Sequence, residues 1–233
     1  MSNAKTIGIL GGMGPQASCE LYRLVNEKSC LAGRAAHNAD FPHLLLNSLP
    51  VPDLIRDRDA EQKTVAMARD GAFALQRAGA TDILMSCNTM HLFQKTITEG
   101  LNTRFHSLID IVATSMKTAR KVLLLGSSTT IEAGLYQKAL KKQGILYQEP
   151  SDALRNQSVD VILATIGQNL MPHMVTAYTE TVLQEARNDP EIDTIGLVCT
   201  ELPLAFPPKL KDFCLISSLN EAANYVVSLH FGR

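Results

Sequence analysis

Short apolar runs alternate with longer amphipathic stretches along the chain. In the first half, the apolar runs 7–10, 43–47 and 82–86 have the length and composition of buried strands. Residues 16–26 and 61–78 lie between them and place apolar side chains at helical spacing. Strands that alternate with helices are typical of an α/β fold with a parallel sheet. We therefore predict an α/β protein.

The same order of segments occurs a second time. Residues 5–11 resemble residues 121–126 when one position is gapped, and each segment precedes a polar turn and a predicted helix with a Leu-Tyr pair. Residues 82–87 resemble residues 194–199, and both segments end in cysteine. Ordered self-similarity is the signature of repeated structural units. We predict two similar parallel-sheet α/β domains related by a pseudo-twofold axis.

A third match bears on how the chain divides. Residues 108–110, at the predicted start of one helix, resemble residues 215–217, which we expect to start another. We predict that residues 1–114 and 213–233 form the first domain and residues 115–212 the second. Ligands of open α/β sheets bind beyond the carboxyl ends of the strands. The two halves are therefore expected to share an active site in the cleft between them.

Two cysteines stand at matching positions of the repeat. Cys87 ends one predicted strand and precedes Asn88 and Thr89, whereas Cys199 ends another and precedes Thr200. A lone cysteine is most often a small buried apolar residue. Two cysteines at equivalent strand ends, each next to residues with hydroxyl or amide groups, instead indicate a catalytic pair. We expect each to precede a helix, whose unpaired N–H groups would lower the pKa of the thiol and bind a carboxylate.

Two acid–base groups that face each other suit a racemase. Such an enzyme removes a proton from one face of a carbon and returns one to the other face. A thiolate and a thiol can exchange these roles with the direction of reaction. The ordinary pKa of a thiol, about 8.5, makes both forms accessible near neutrality. Preorganised donors must then stabilise the negative charge that develops on the substrate.

The composition favours a small substrate. The chain has 233 residues and a formal net charge of −1, so no global field attracts nucleic acid or an anionic membrane. No apolar stretch approaches the roughly 20 residues that span a bilayer, and we expect no signal peptide. The five cysteines are an odd number and form no C-x-x-C pair, which favours reduced thiols and a cytoplasmic protein.

Four ordered motifs carry a family resemblance: residues 7–15, the Cys-Asn-Thr-Met-His box at 87–91, residues 130–137, and the Cys-Thr-Glu-Leu-Pro box at 199–203. Together they resemble the aspartate/glutamate racemase family and are most similar to its aspartate racemase branch. The resemblance spans nearly the whole chain. It implies a two-domain α/β fold, catalysis without pyridoxal phosphate or another cofactor, an amino-acid substrate and a homodimer.

The same resemblance implies roles for individual residues. Cys87 and Cys199 would be the proton donor and acceptor pair. The residues that it places against the substrate are Met13, Asn88, Thr89, Thr130 and Thr200. The repeat also favours Thr130, because its hydroxyl-rich turn corresponds to the turn around Met13. The reaction that the resemblance implies is the interconversion of L- and D-aspartate, with glutamate as the other acidic substrate.

Two departures from the family pattern bear on selectivity. Many relatives have a lysine after a hydrophobic-tyrosine pair in the second half, where residues 166–171 contain no basic side chain. In relatives, a segment like 50–53 often leads to an arginine that holds the side-chain carboxylate, and Arg56 is our candidate, with Arg58 as the alternative. Because the lysine is missing, a broader set of amino acids stays open.

Other motifs carry weaker functional signals. Residues 12–17 fit the glycine pattern of dinucleotide sites, but no acidic residue ends the second predicted strand. Cys87 and His91 have the spacing of metal ligands on a helix, but no second ligand pair of zinc spacing occurs. We therefore predict no metal and expect His91 to pack or hydrogen-bond behind the cysteine. Glu201 either tunes Cys199 or acts as a capping carboxylate.

Two other functions stay open as alternatives. A related activity on the same scaffold, such as cis–trans isomerisation of maleate or decarboxylation of a malonate, would use similar groups, although a decarboxylase needs only one cysteine. A catalytically silent amino-acid sensor would retain the cleft, and the missing lysine is the reason to consider it.

Overall fold

The apolar runs form two four-stranded parallel sheets in the computed structural model, which describes residues 5–52 and 60–232. In chain order the strands are β1 (Thr6–Gly11), β2 (His43–Ser48), β3 (Asp82–Met85), β4 (Arg104–His106), β5 (Lys121–Leu125), β6 (Leu146–Gln148), β7 (Thr194–Leu197) and β8 (Cys214–Ser217). The first sheet has the order β2-β1-β3-β4 and the second β6-β5-β7-β8. All neighbouring strands are parallel. The prediction of an α/β fold with two similar parallel sheets is confirmed.

Helices connect the strands in both halves. In chain order they are α1 (Pro15–Leu31), α2 (Glu61–Arg77), α3 (Gln94–Thr98), α4 (Leu108–Ser115), α5 (Ser128–Glu132), α6 (Leu135–Lys142), α7 (Asp152–Ile166), α8 (Pro172–Arg187) and α9 (Ser218–Phe231). The central strands β3 and β7 are buried along their whole length, as expected for parallel strands with helices on both faces of the sheet. Within the described residues, no helix is long and apolar enough to cross a membrane.

Close contacts divide the chain into two units. The first contains Met1–Leu108 and Leu219–Arg233, and the second contains Ile109–Ser218. Both boundaries lie about six residues from those that the sequence suggested. The later boundary differs because β8 pairs with β7 throughout its length and therefore belongs to the second sheet.

The predicted correspondence between residues 108–110 and residues 215–217 is wrong. Residues 215–217 do not start a helix but lie in β8, and α9 begins at Ser218. Residues 108–110 do begin a helix, α4. A short apolar run is compatible with either structure, and pairing with β7 makes this one a strand. The counterpart of β8 in the repeat is β4, and the counterpart of α9 is α4.

Three side chains fix α9 to the first sheet. Tyr225 Oη lies 2.8 Å from His106 Nδ1, and His106 Nε2 lies 2.7 Å from Asp82 Oδ1. Asp82 is only 2% exposed. Its burial raises the pKa of the carboxyl group, but hydrogen bonds from His106 and Thr81 outweigh burial, so the net pKa is lower than usual. The ionised form of Asp82 therefore stabilises the fold.

We expect Asp82→Asn to lower the free energy of unfolding by about 1–3 kcal/mol at neutral pH, because the charged hydrogen bond to His106 is lost. A carboxyl group with a lowered folded-state pKa stabilises the protein above its unfolded pKa of about 3.9, and this contribution is lost as the pH falls through the folded value. Urea unfolding at pH 7 and in acid tests this, with a difference from the wild type that shrinks in acid. Asp70→Asn, at an exposed position of α2, is the matched control. An Asp82→Asn protein as stable as the wild type at pH 7 would contradict the assignment.

Candidate active site

Each sheet has a switch point, where successive connections leave in opposite directions. It lies between β1 and β3 in the first sheet and between β5 and β7 in the second. Ligands of open α/β sheets bind at the carboxyl ends of the strands at such points. The segments after these four strands are residues 12–14, 86–89, 126–128 and 198–201. Most of the predicted site residues lie in these segments.

In the first unit, the predicted residues come together at the switch point. Cys87 is 9% exposed and belongs to a buried apolar cluster. Met13, on the turn after β1, packs against the same cluster. Asn88 is buried and Thr89 is partly buried directly beside the cysteine in sequence. This half thus offers a thiol with amide, hydroxyl and apolar neighbours.

A serine hydroxyl ties the two loops of this switch point together. Ser18 Oγ accepts the Gly12 N–H at 2.9 Å and donates to the Gly14 carbonyl at 3.2 Å. It also lies 3.4 Å from Ser86 Oγ, on the residue before Cys87. Neither serine was predicted from the sequence. The only signal there is a small polar residue at each position, one turn into α1 for Ser18 and directly after β3 for Ser86. They hold the two loops in one arrangement.

His91 lies behind Cys87 and bonds to backbone on both sides. Its Nδ1 lies 2.7 Å from the Cys87 carbonyl oxygen, and the Leu108 N–H donates to its Nε2 at 3.0 Å. Because a backbone N–H can only donate, Nε2 is the acceptor, and in the neutral ring Nδ1 carries the hydrogen and donates to the carbonyl. The expected hydrogen bond behind the cysteine is confirmed. With both nitrogens engaged, His91 does not fit a metal ligand.

In the second unit, Cys199 makes a direct hydrogen bond to a carboxylate. Its thiol donates to Glu201 Oε2 at 3.0 Å, and Thr200 Oγ1 donates to the same oxygen at 3.1 Å. All three residues are at most 6% exposed. Of the two roles that the sequence left open for Glu201, this contact favours tuning the cysteine. The carboxylate is placed to accept the proton of the thiol.

Two buried tyrosines are within electrostatic reach of Cys199. Burial raises the pKa of Tyr136 well above its ordinary value, and a negative charge on Cys199 or Asp110 raises it further. The pKa of Tyr178 is also raised, mainly by burial. A negative charge on Cys199 raises it further, and the hydrogen bond to Ser158 lowers it. Both phenols therefore stay neutral at physiological pH. Like Cys199, both side chains are buried, so the thiol and the two phenols share a poorly solvated part of the second unit.

Thr130 lies in the first turn of α5, at the switch point of the second sheet. Ser127 is the N-cap residue and accepts the Thr130 N–H at 3.3 Å, while its own hydroxyl donates to Thr130 Oγ1 at 2.9 Å. Both side chains are almost fully buried. Capping fixes the position of this hydroxyl pair.

Short 3-10 helices, and not α-helices, begin after the two cysteines. Thr89–Phe93 follows the first and leads into the five-residue α3, and Leu202–Leu204 follows the second. We expected a helix to follow each thiol, and in both cases that helix is a short 3-10 helix. Pro203, in the 3-10 helix after Cys199, has no N–H to donate. One of the N–H donors expected behind Cys199 is therefore missing.

Arg56 and Arg58, the candidates for binding a side-chain carboxylate, lie outside the described residues. Among the described residues, no group of three or more His, Cys, Asp or Glu side chains is arranged to hold a metal ion. Met13, Cys87, Asn88 and Thr89 lie in the first unit, and Thr130, Cys199 and Thr200 lie in the second.

Comparison with known proteins identifies the family of this chain. The family model described as Asp/Glu/Hydantoin racemase matches residues 10–226. The chain belongs to this family. It is also 30% identical to the broad specificity amino-acid racemase RacX of Bacillus subtilis over 203 residues. This aligned region covers 84% of this chain and 85% of the relative. The protein is thus an enzyme, an isomerase of the racemase family.

Solved structures agree with the family assignment. An aspartate racemase homologue from Pyrococcus horikoshii superimposes with a TM-score of 0.80 at 26% identity, over 97% of this chain and 99% of that one. The aspartate racemase of Picrophilus torridus gives a TM-score of 0.82 at 25% identity, over 98% and 95% of the two chains. The resemblance to the aspartate/glutamate racemases is confirmed.

We expect Gly12→Ala to destabilise the protein by about 4 kcal/mol, from backbone strain and overpacking together. Gly12 has φ of 88°, and an added Cβ would collide with the backbone of Leu49. Gly33→Ala is the matched control, because Gly33 also has positive φ, 64°, but an added Cβ meets nothing within 4 Å. Strain alone predicts a loss of about 1–2 kcal/mol there. Thermal or urea unfolding measures both, and equal losses in the two variants would contradict the close approach at Gly12.

Proposed function

We propose that the protein interconverts L- and D-aspartate without a cofactor, by proton transfer between Cys87 and Cys199 on opposite faces of one substrate. The observation that carries this proposal is the matching position of the two thiols. Each is buried, and each lies two residues after the end of the third strand of a sheet with the same strand order. One sulfur in its thiolate form would remove the α-proton, and the other, as a thiol, would return a proton to the opposite face.

The contact at Cys199 supports a role for Glu201 in this exchange. When Cys199 acts as the acid, its proton already lies on the sulfur, which donates to Glu201. When it acts as the base, the proton must first leave the sulfur, and Glu201 Oε2 at 3.0 Å is in place to accept it. A carboxylate thus lets one thiol work in both directions.

The hydroxyl and amide groups beside the thiols are suited to the polar ends of an amino acid. We propose that Asn88, Thr89, Thr130 and Thr200 hold the α-carboxylate and amino groups, where their donors would stabilise the charge that develops on the substrate. Met13 would line the pocket on the apolar side. Arg56 would bind the side-chain carboxylate, because a guanidinium forms paired hydrogen bonds with carboxylates.

A second candidate is a racemase with a broader amino-acid range. The relative at 30% identity is a broad specificity enzyme, and residues 166–171 contain no basic side chain. Glutamate is the nearest alternative substrate to aspartate. We further propose a homodimer in the cytoplasm, which the family resemblance and five free cysteines support.

The proposed function is tested by incubating the enzyme with L-aspartate in deuterium oxide. We expect optical rotation to decay to zero and deuterium to enter the α-position. A panel with glutamate, neutral amino acids and maleate separates the narrow racemase from the broad one and from a maleate isomerase. Binding of aspartate without exchange would instead favour a sensor and would contradict the proposal.

Cys87→Ala and Cys199→Ala should each reduce racemisation at least about 1000-fold, because each removes the only group proposed to serve one face of the carbon. Polarimetry with purified, folded variants measures this. Cys214→Ala, at an exposed free cysteine, is the control and should keep wild-type activity. Full activity in either active-site variant would contradict the two-base scheme.

Glu201→Gln should lower kcat about 10- to 100-fold, because the amide keeps the shape of the side chain but is not a base for the thiol proton. KM should change little, since the proposed contact is with sulfur and not with substrate. Steady-state rates in both directions measure the effect. A variant with wild-type kcat would show that Glu201 has only a structural role.

A further inference from the structure

We propose that His91 is a positioning residue for Cys87. It would hold the backbone that carries the thiol by acting as a neutral bridge between the Cys87 carbonyl and the first turn of α4. This inference rests on the proposed acid–base role of Cys87. It adds a residue whose contribution is geometric and whose ring exchanges no proton with substrate.

The backbone at Cys87 lies beyond the end of β3. One residue earlier, the Ser86 N–H donates to the Leu10 carbonyl at 3.0 Å. Cys87 belongs neither to β3 nor to the 3-10 helix that starts at Thr89. The bond of 2.7 Å from His91 Nδ1 reaches the Cys87 carbonyl in this irregular stretch. It fixes the peptide group that determines the direction of the Cys87 side chain.

The other side of the ring is anchored equally firmly. Leu108 is fully buried and is the first residue of α4, so its N–H has no acceptor within the helix and bonds to His91 Nε2 at 3.0 Å. The imidazole ring also lies beside Phe105, tilted by 53° with ring centroids 6.1 Å apart. Leu108 is the last residue of the first unit. His91 therefore connects the candidate base to the point where the chain leaves this unit.

The two hydrogen bonds require opposite properties of the ring nitrogens. Nδ1 must donate to a carbonyl, and Nε2 must accept from an N–H. Only one neutral tautomer satisfies both, and a doubly protonated ring would leave the Leu108 N–H facing another donor. Because both nitrogens are committed to backbone groups, His91 is not the proton relay for the thiol. Its effect on the reaction must come through the position of Cys87.

Three substitutions separate the two bonds. His91→Phe keeps the aromatic shape and removes both. His91→Asn retains a donor near the position of Nδ1, and His91→Gln retains an acceptor near that of Nε2. The matched control is His106→Phe, which removes a half-buried ring that likewise has two hydrogen-bond partners, here the side chains of Asp82 and Tyr225. Circular dichroism and thermal melting establish that each variant folds.

If His91 positions the thiol, His91→Phe lowers kcat about 10- to 100-fold, the range expected when a reacting group is displaced by up to about 1 Å. KM changes less than about 3-fold by the same reasoning. The Asn and Gln variants each keep one bond and fall between His91→Phe and the wild type. His106→Phe lowers the melting temperature with kcat within about 2-fold of the wild type. Should His91→Phe not fold, the Asn and Gln variants carry the same comparison.

A second readout does not depend on the substrate. Alkylation by iodoacetamide, followed peptide by peptide, should be at least about 3-fold faster at Cys87 in His91→Phe and unchanged at Cys199, because the released segment exposes the buried sulfur. Wild-type kcat and Cys87 alkylation in His91→Phe would overturn the inference, as would equal losses of kcat in His91→Phe and His106→Phe. Activity in Cys87→Ala would instead refute the proposed function itself.

Discussion

The order of strands in each sheet is the constraint on which the rest of the structure depends. In the order 2-1-3-4, the first and third strands are neighbours and their connections leave toward opposite edges. Only there can two loops approach without a crossing helix between them. The first loop carries Met13 in one unit and precedes Thr130 in the other, and the second loop carries a cysteine in both. A duplicated topology thus produces a duplicated set of reactive groups.

The two thiols have different supports within this common plan. At Cys87, a histidine bonds to the backbone carbonyl and an apolar cluster surrounds the side chain. At Cys199, a carboxylate accepts the thiol hydrogen itself, and two buried tyrosines that stay neutral lie within electrostatic reach. In the proposed reaction the two thiols act in turn on substrates that are mirror images, so their chemistry need not be identical. Each half has only to offer a proton donor and acceptor at the right place.

The sequence predicted those features that local pattern determines. Alternating apolar runs and helical stretches gave the α/β class and the doubled sheet, and matched strand ends pointed to Cys87 and Cys199. The sequence pattern gave the wrong structure where strand pairing determines it. Residues 215–217 were expected to start a helix but form β8, because they pair with β7. The sequence also predicted a helix behind each cysteine but not its type, which is a short 3-10 helix in both cases.

Contacts between distant residues were beyond the reach of sequence pattern. The bond from Leu108 to His91 spans 17 positions and that from Tyr225 to His106 spans 119, and neither leaves a periodic signal. His91 could be placed behind Cys87 from its spacing alone, but its second partner could not. The same applies to Ser18 and Ser86, which meet only when β1 and β3 pair.

The central claim is that two sulfurs serve one carbon. A crystal structure of the Cys87→Ser, Cys199→Ser double variant with bound aspartate measures this most directly. We expect one aspartate with both serine oxygens within about 3.5 Å of its α-carbon, on opposite faces. An aspartate bound near one of these residues alone, or two separate sites, would contradict it.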